Sequence, residues 1–129
     1  MITEKLYTDT DNYDSTVKRA SELLKMGKTV AIPTETVYGL AASAYDENAI
    51  KKVFEAKGRP QDNPLIVHIS DMEMLNVIAM DIPDAAIKCA SEFWPGPFTM
   101  VLKRTDKTAP CVSAGLDTVA VRMPSEKTA

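Results

Sequence analysis

A pair of cations stands out in the stretch KGRPQDNPLIVH, residues 57–68. Lys57 and Arg59 flank Gly58, and two prolines are expected to keep the following backbone extended ahead of a strand. The planar fork of an arginine and the mobile charge of a lysine together suit anionic oxygens. The pair therefore predicts a phosphate or carboxylate ligand. A solvated helix terminus, where basic side chains interact favourably with the helix dipole, explains the spacing equally well.

A second polar stretch, PTETVYGLA, occupies residues 33–41 directly after a predicted strand. Thr34 and Thr36 supply hydroxyl groups, Glu35 supplies a carboxylate, and Gly39 permits unusual backbone conformations. Because α/β folds bind ligands at the carboxyl ends of strands, this position favours a binding loop. The stretch is neither a GxGxxG sequence nor a Walker loop. A turn that leads into a helix is an equally good interpretation.

His68 is the only histidine, and Arg122 is the only charged residue of the predicted strand TVAVR. In the predicted strand at 65–69, His68 shares a face with Ile66. A single histidine does not build a His-rich metal site or a Cys/His nucleophile, and a structural role is the commoner outcome for it. Arg122 either extends to solvent or binds a carboxylate.

The composition of the whole chain predicts one soluble domain. It has 129 residues, of which 45% are hydrophobic, and its 15 basic and 18 acidic side chains give a net charge of −3. This charge gives no sign of nucleic-acid binding, although a basic cluster lies within residues 51–59. No apolar run approaches the ~18 residues of a membrane span and no signal sequence is recognised, so we expect a cytoplasmic protein with no membrane partner. Cys89 and Cys111 form no CxxC pair and are expected to pack as small apolar residues.

Apolar periodicity and capping residues predict the elements that position these side chains. Helices are expected over 15–26 with Asp14 or Ser15 as N-cap, over 46–57, and from a Ser70–Glu73 capping box to about residue 79. A fourth helix is expected with Pro83 in its first turn and with Ile87, Ala90 and Trp94 spaced to pack inward, and the WPGP sequence ends it. Strands are expected over 29–32, 65–69, 99–102 and 118–121, the first of them buried. Strands that alternate with helices indicate a mixed α/β fold, in which helices cover a twisted sheet.

Four stretches of the sequence together resemble a known family. In chain order, they are PTETVYGLA, KGRPQDNPLIVHI, FWPGPFTMVL and GLDTVAVRMP, and they are similar to the YrdC family of threonylcarbamoyl-AMP synthases. The resemblance implies a twisted open mixed sheet flanked by helices, with a positively charged cavity. It also implies a reaction that joins L-threonine, bicarbonate or CO2, and ATP with Mg2+ into threonylcarbamoyl-AMP and pyrophosphate. The product then modifies an adenosine beside the tRNA anticodon with the help of partner proteins.

The resemblance further implies roles for seven residues in two groups. A nucleotide group faces ATP, with Lys57 and Arg59 at its phosphates as the catalytic pair and Asn63 and Thr118 also on the nucleotide. A threonine group holds the amino acid, with Thr36 and His68 on threonine and Arg122 on its carboxylate. A carbamate oxygen must attack the α-phosphate, so these residues would position reactants and neutralise charge, and no covalent nucleophile or protein-bound metal is expected.

The end of the chain departs from the family pattern. Members continue after VRMP with a His-Pro pair, a helix and a Ser-x-Asn element that completes the nucleotide site, whereas here Ser125 is followed by Glu126 and Lys127. Ser125 resembles the N-cap of a helix that has no further residues. Residues 1–129 are therefore expected to form a single YrdC-like domain that lacks its C-terminal third and is not fully active alone.

Two other functions remain open at this point. One is a non-catalytic module that binds tRNA or double-stranded RNA in the same basic cavity, whose affinity would fall steeply with salt. The other is a relative that forms carbamoyl-adenylate for hydrogenase maturation. That role is accompanied by zinc-binding and acylphosphatase-like regions, which this sequence lacks.

Overall fold

A computed structural model describes residues 2–9 and 11–129. The elements follow in the order α1 (Tyr13–Lys25), β1 (Val30–Ile32), β2 (Gly39–Ala41), α2 (Glu47–Lys57), β3 (Ile66–His68), α3 (Met72–Ile78), β4 (Ala79–Met80), α4 (Asp84–Phe93), β5 (Thr99–Arg104), a 3-10 helix (Pro110–Ser113) and β6 (Thr118–Arg122). Strands β1 and β2 form an antiparallel hairpin, and a four-stranded sheet has the order β3-β6-β5-β4. Because β3 runs parallel to β6 while the other pairs are antiparallel, this sheet is mixed, and the predicted α/β class is confirmed.

One face of the four-stranded sheet forms the core with the helices. Alternate residues of the strands are buried there, namely Val67, Met100, Leu102, Val119 and Val121. Helices α2, α3 and α4 contribute buried side chains to the same cluster, including Ile50, Phe54, Leu75, Ile78 and Ala90. Each large apolar side chain in it stabilises the fold by about 1.5–3 kcal/mol. The opposite face carries Ile66, His68, Thr99 and Arg122, which do not belong to this core.

Helix α2 is built as the sequence predicts, and its end presents the cation pair. The Asp46 carboxylate accepts hydrogen bonds from the backbone N–H groups of Asn48 at 2.9 Å and Ala49 at 3.1 Å. Gly58 ends the helix with φ +57, a left-handed conformation that glycine adopts without strain. The Arg59 N–H then donates to the Phe54 carbonyl at 3.0 Å. The chain therefore leaves α2 in a defined direction at Arg59.

Several predicted helix starts are wrong by one or a few residues. Helix α1 begins at Tyr13 with Asn12 as N-cap, ahead of the predicted Asp14 or Ser15. Helix α3 is capped by Asp71, whose carboxylate accepts from the Met74 N–H at 2.8 Å, so the Ser70–Glu73 capping box does not form. Pro83 is the N-cap residue of α4 and not part of its first turn.

Three other expectations about local structure are also wrong. Residues 33–41 do not lead into a helix, since Gly39–Ala41 pairs with Val30–Ile32 as β2. Strand β1 is not a buried strand, because Ala31 in its middle is exposed. Ile87 of α4 was expected to pack inward, yet 43% of its surface is exposed.

The remaining local predictions can be compared with specific contacts. Cys89 and Cys111 are free thiols that pack against the core cluster, as predicted. Ser125 does not cap a turn at the end of the described chain. Glu126 does so instead, because its Oε2 accepts from the N–H groups of Thr128 at 2.6 Å and Ala129 at 3.0 Å. Within residues 2–9 and 11–129, no helix has the length and apolarity needed to cross a membrane.

Candidate functional site

The parallel strands β3 and β6 organise the candidate site. Their register pairs Ile66 with Ala120 and His68 with Arg122. Thr118 and Arg122 lie on the same face of β6, since side chains alternate along a strand, and are about 13 Å apart at a rise of ~3.3 Å per residue. The strand pair therefore has an amino end beside Thr118 and a carboxyl end beside Arg122, both on the face turned away from the core.

Arg122 is held from two sides at the carboxyl end. Its Nε donates a hydrogen bond of 3.0 Å to Oγ1 of Thr99, which is its direct partner on the antiparallel strand β5. Its Nη1 lies 3.8 Å from Oε1 of Glu35, and the two side chains are 19% and 13% exposed. Arg122 therefore does not extend into solvent. It presents a guanidinium whose orientation is restricted, which suits bidentate binding of a carboxylate.

Glu35 and Thr99 were not among the predicted site residues. Glu35 was considered only as one carboxylate of the loop at 33–41, and Thr99 only as the first residue of a strand. Both carboxylate oxygens of Glu35 are buried and lack a hydrogen-bond partner among the described residues. The one acid between Thr34 and Thr36 was a usable sequence signal for Glu35. Nothing local marks Thr99, because its role depends on the register between β5 and β6.

His68 lies beside Arg122 in the same cluster. Burial is the main cause that lowers the pKa of its imidazole below 6.5, and the positive charge of Arg122 lowers this pKa further. The carboxylate of Glu35 acts in the opposite direction. At neutral pH the imidazole is therefore uncharged, with one nitrogen that donates and one that accepts a hydrogen bond. Such a group suits a hydroxyl ligand better than a carboxylate.

Thr36 is the residue that follows Glu35 in the chain. Its side chain is exposed on the loop between β1 and β2, and its Oγ1 lies 3.3 Å from Oγ1 of Thr34. The Thr34 hydroxyl also donates to the Val37 carbonyl, which closes the loop on itself. The structure thus brings His68 and Arg122 together at one end of the β3–β6 pair, and Thr36 is the residue after Glu35, which lies 3.8 Å from Arg122.

The predicted nucleotide group lies around the loop that leads into β3. Arg59 donates from Nη2 to the Pro64 carbonyl at 2.8 Å, while its buried Nε has no partner among the described residues. Asn63 is exposed, and its N–H donates to the Pro60 carbonyl at 3.2 Å. This bond makes residues 60–63 a turn, so the extended backbone predicted there is wrong. The reason is that a proline fixes φ at its own position but leaves its ψ free to turn the chain.

Thr118 and Lys57 are the other two members of the predicted nucleotide group. The β3–β6 register places Thr118 two residues before Ala120, at the amino end that the Arg59 loop enters. Lys57 is exposed at the last position of α2. Among the described residues, no hydrogen bond or ion pair joins Lys57 or Arg59 to the cluster around Arg122. Arg59 and Thr118 thus lie at the amino end of the strand pair, and His68 and Arg122 lie at its carboxyl end.

Other features of the surface do not compete with this location. An apolar cleft of about 280 Å³ is lined by Met72, Ile87, Ala90, Ser91, Trp94 and Met123, and it contains none of the predicted site residues. In the part of the chain that the structure describes, no group of three or more His, Cys, Asp or Glu side chains could hold a metal ion. The polar, partly buried side chains around Arg122 remain the best candidate site.

Comparison with known proteins decides the family. The Sua5/YciO/YrdC family model, which is described as "Telomere recombination", matches residues 22–129. The chain belongs to this family. The resemblance inferred from the four sequence stretches is thereby confirmed.

The chain is also similar to individual members of the family. A threonylcarbamoyl-AMP synthase of Pyrococcus abyssi is 54% identical over 113 residues, which are 88% of this chain and 33% of that protein. A threonylcarbamoyl-AMP synthase of Bacillus subtilis is 47% identical over 124 residues, covering 95% of this chain and 35% of that protein. The chain thus spans about a third of the length of these relatives.

A solved structure supports the fold directly. The crystal structure of Pyrococcus abyssi Sua5 complexed with L-threonine matches with a TM-score of 0.87 and 52% identity, over 89% of this chain and 34% of that chain. At this similarity the mixed sheet flanked by helices is the fold of a Sua5-type protein, as the sequence predicted.

Proposed function

We propose that the protein is an L-threonylcarbamoyladenylate synthase, which forms threonylcarbamoyl-AMP and pyrophosphate from L-threonine, bicarbonate or CO2, and ATP. The observation that carries the proposal is the anchored Arg122 beside His68, in a chain 52% identical to a Sua5 protein whose structure contains L-threonine. The names of the curated relatives support the same activity. They do not favour an RNA-binding module or a carbamoyl-adenylate-forming enzyme.

Threonine binds at the carboxyl end of the β3–β6 pair in this proposal. Arg122 receives the α-carboxylate, because its guanidinium is held by Thr99 and is only 19% exposed. The uncharged imidazole of His68 and the hydroxyl of Thr36 hydrogen-bond the polar groups of threonine. These residues hold the amino acid in the site. The α-ammonium group must lose a proton to solvent before its nitrogen can attack CO2, and the adduct loses a second proton to solvent to give the carbamate.

ATP binds at the amino end, with its α-phosphate towards the carbamate. A carbamate oxygen attacks the α-phosphorus, the bond to the β-phosphate oxygen breaks, and pyrophosphate leaves. Lys57 and Arg59 neutralise the charge that develops on the phosphates, while Asn63 and Thr118 orient the nucleotide. Mg2+ enters as part of the MgATP substrate, held by phosphate oxygens and water, which requires no cluster of acidic residues.

The product is a reactive mixed anhydride that a later step must consume. The family resemblance of the four sequence stretches implies the modification of tRNA, and we assign the transfer of the threonylcarbamoyl group to tRNA to separate partner proteins. As part of the same proposal, we assign the protein to the cytoplasm.

Pyrophosphate release by the full gene product tests the proposal. Release is expected only when L-threonine, bicarbonate and MgATP are all present, and threonylcarbamoyl-AMP should form in equal amount. The Lys57→Gln variant should lose most of this activity. The Lys88→Gln variant is the matched control, because Lys88 is an exposed lysine on α4, which carries none of the predicted site residues. Release that does not depend on threonine contradicts the proposal.

A further inference from the structure

Glu35 is a buried acid to which the proposed function assigns no contact with substrate. Its side chain is 13% exposed, both carboxylate oxygens are buried, and neither accepts a hydrogen bond from the described residues. The nearest cationic atom is Nη1 of Arg122 at 3.8 Å, which is an ion-pair distance beyond a normal hydrogen bond. An ionised carboxylate that loses water on folding normally gains hydrogen-bond donors in return. Glu35 has not gained them.

The loop around Glu35 does not supply the missing donors. The hydroxyl of Thr34 is used by the Val37 carbonyl and lies 3.3 Å from the hydroxyl of Thr36. On the other side, Arg122 already donates from Nε to Thr99. The terminal nitrogens of Arg122 donate no hydrogen bond to the described residues, and Nη1 lies 3.8 Å from Oε1 of Glu35, so unused hydrogen-bonding capacity of opposite sign lies side by side.

A ligand that carries both charges on neighbouring atoms satisfies both groups. A free α-amino acid is such a ligand, because its carboxylate and ammonium groups are bonded to the same carbon. Its carboxylate oxygens would accept from Arg122, and its ammonium would donate to the carboxylate of Glu35. A carboxylic acid without the amino group would satisfy Arg122 but leave Glu35 without a donor.

We propose that Glu35 binds the α-ammonium group of the amino acid substrate and makes the site select a free amino acid over its deaminated analogue. The assignment rests on the proposed function, because it requires threonine to bind through Arg122. It adds a specificity-determining residue to the predicted threonine group. It also gives a reason for the buried position of Glu35 beside Arg122. Without an ammonium group to bind, the carboxylate of Glu35 would compete with the substrate carboxylate for Arg122.

Binding to the full gene product tests the assignment with two ligands, L-threonine and 3-hydroxybutanoate, which is threonine without its amino group. Wild-type protein should bind L-threonine more tightly by about ten-fold or more, as expected when a buried charged group loses its partner. In the Glu35→Gln variant, the affinity for L-threonine should fall by a similar factor while that for 3-hydroxybutanoate stays the same or rises. Preference for L-threonine should thereby be lost.

Controls separate this role from a structural one. Affinity for MgATP should not change in Glu35→Gln, and Glu47→Gln, which alters an exposed acid on α2, should leave all three affinities unchanged. If Glu35→Gln weakens L-threonine, 3-hydroxybutanoate and MgATP alike, Glu35 is structural and the assignment is wrong. Equal affinities of wild-type protein for L-threonine and 3-hydroxybutanoate also overturn the assignment. This result does not depend on the folding of any variant. A wild-type protein that binds no amino acid at all contradicts the proposed function itself.

Discussion

His68 and Arg122 are paired in register on the parallel strands β3 and β6. The imidazole and the guanidinium consequently share a face of the sheet, although they come from distant parts of the sequence. Burial lowers the pKa of His68 most, and the positive charge of Arg122 adds to this effect. The charge of Arg122 therefore influences the protonation of His68, and this effect can be measured.

Stability should depend on pH through His68. Its pKa in the folded protein lies below 6.5, the value for an unperturbed imidazole. Above pH 6.5 the imidazole is neutral in both states, and its full contribution to stability is present. As the pH falls below 6.5, the unfolded chain binds a proton that the folded protein does not, so the free energy of unfolding decreases.

Urea unfolding of wild-type protein and His68→Asn between pH 8 and pH 5 checks this expectation. Wild-type protein should lose more stability than the variant as the pH falls. The difference should stay below the limit of about 1.4 kcal/mol per pH unit for one proton, because the imidazole is only partly buried. If the free energy of unfolding falls equally with pH in the two proteins, the expectation is wrong.

Removing the charge of Arg122 should raise the pKa of His68. Arg122→Gln eliminates the positive charge but keeps a polar side chain, so only the burial effect and the influence of Glu35 remain. NMR titration of the imidazole gives this pKa directly, since the protein has a single histidine. Lys103→Gln serves as the control, because Lys103 lies at the far end of β5 and should leave the pKa of His68 unchanged. An unchanged pKa in Arg122→Gln argues against the coupling.

Thr99→Val should weaken threonine binding, although residue 99 acts only through Arg122 and does not contact the ligand. Valine has nearly the shape of threonine, but it cannot accept the hydrogen bond that Nε of Arg122 donates. Loss of this bond should cost about 1 kcal/mol, or roughly a five-fold loss of affinity for L-threonine, with MgATP affinity unchanged. Calorimetric titration measures both. Val101→Ala, an exposed change on the same strand, is the control. Unaltered threonine affinity in Thr99→Val shows that the bond does not orient Arg122.

Arg59 should matter more for turnover than His68. Arg59→Ala removes a charge predicted to lie at the phosphates, and a loss of about 10²–10³ in kcat is expected for such a group. His68→Ala should act mainly on the KM for threonine. Arg59 also donates to the Pro64 carbonyl, so thermal unfolding of each variant is needed beside the pyrophosphate assay. Arg59→Lys should recover part of kcat, because it restores the charge. Turnover of Arg59→Ala equal to that of wild-type protein removes Arg59 from the catalytic pair.

The secondary structure was predictable where neighbours along the chain decide it. Helix α2 follows from an aspartate cap, apolar residues on one side, and a glycine at its end, all within a few turns. The capping residue of α3 was missed by one position, since Ser70 and Asp71 are adjacent and both can cap. Strands β2 and β4 were not predicted. They have three and two residues, and such short strands exist only because a partner strand is in place.

The sequence by itself determined which residues could bind anions, where the main helices lie, and to which family the chain is similar. Those conclusions depend on residue types and short spacings, which act over a few residues. Only the tertiary structure decided that Thr99 lies opposite Arg122, that His68 lies beside it, and that Glu35 comes within 3.8 Å. Strand register depends on pairing between distant segments, and a shift of one residue would turn each of these strand side chains to the other face.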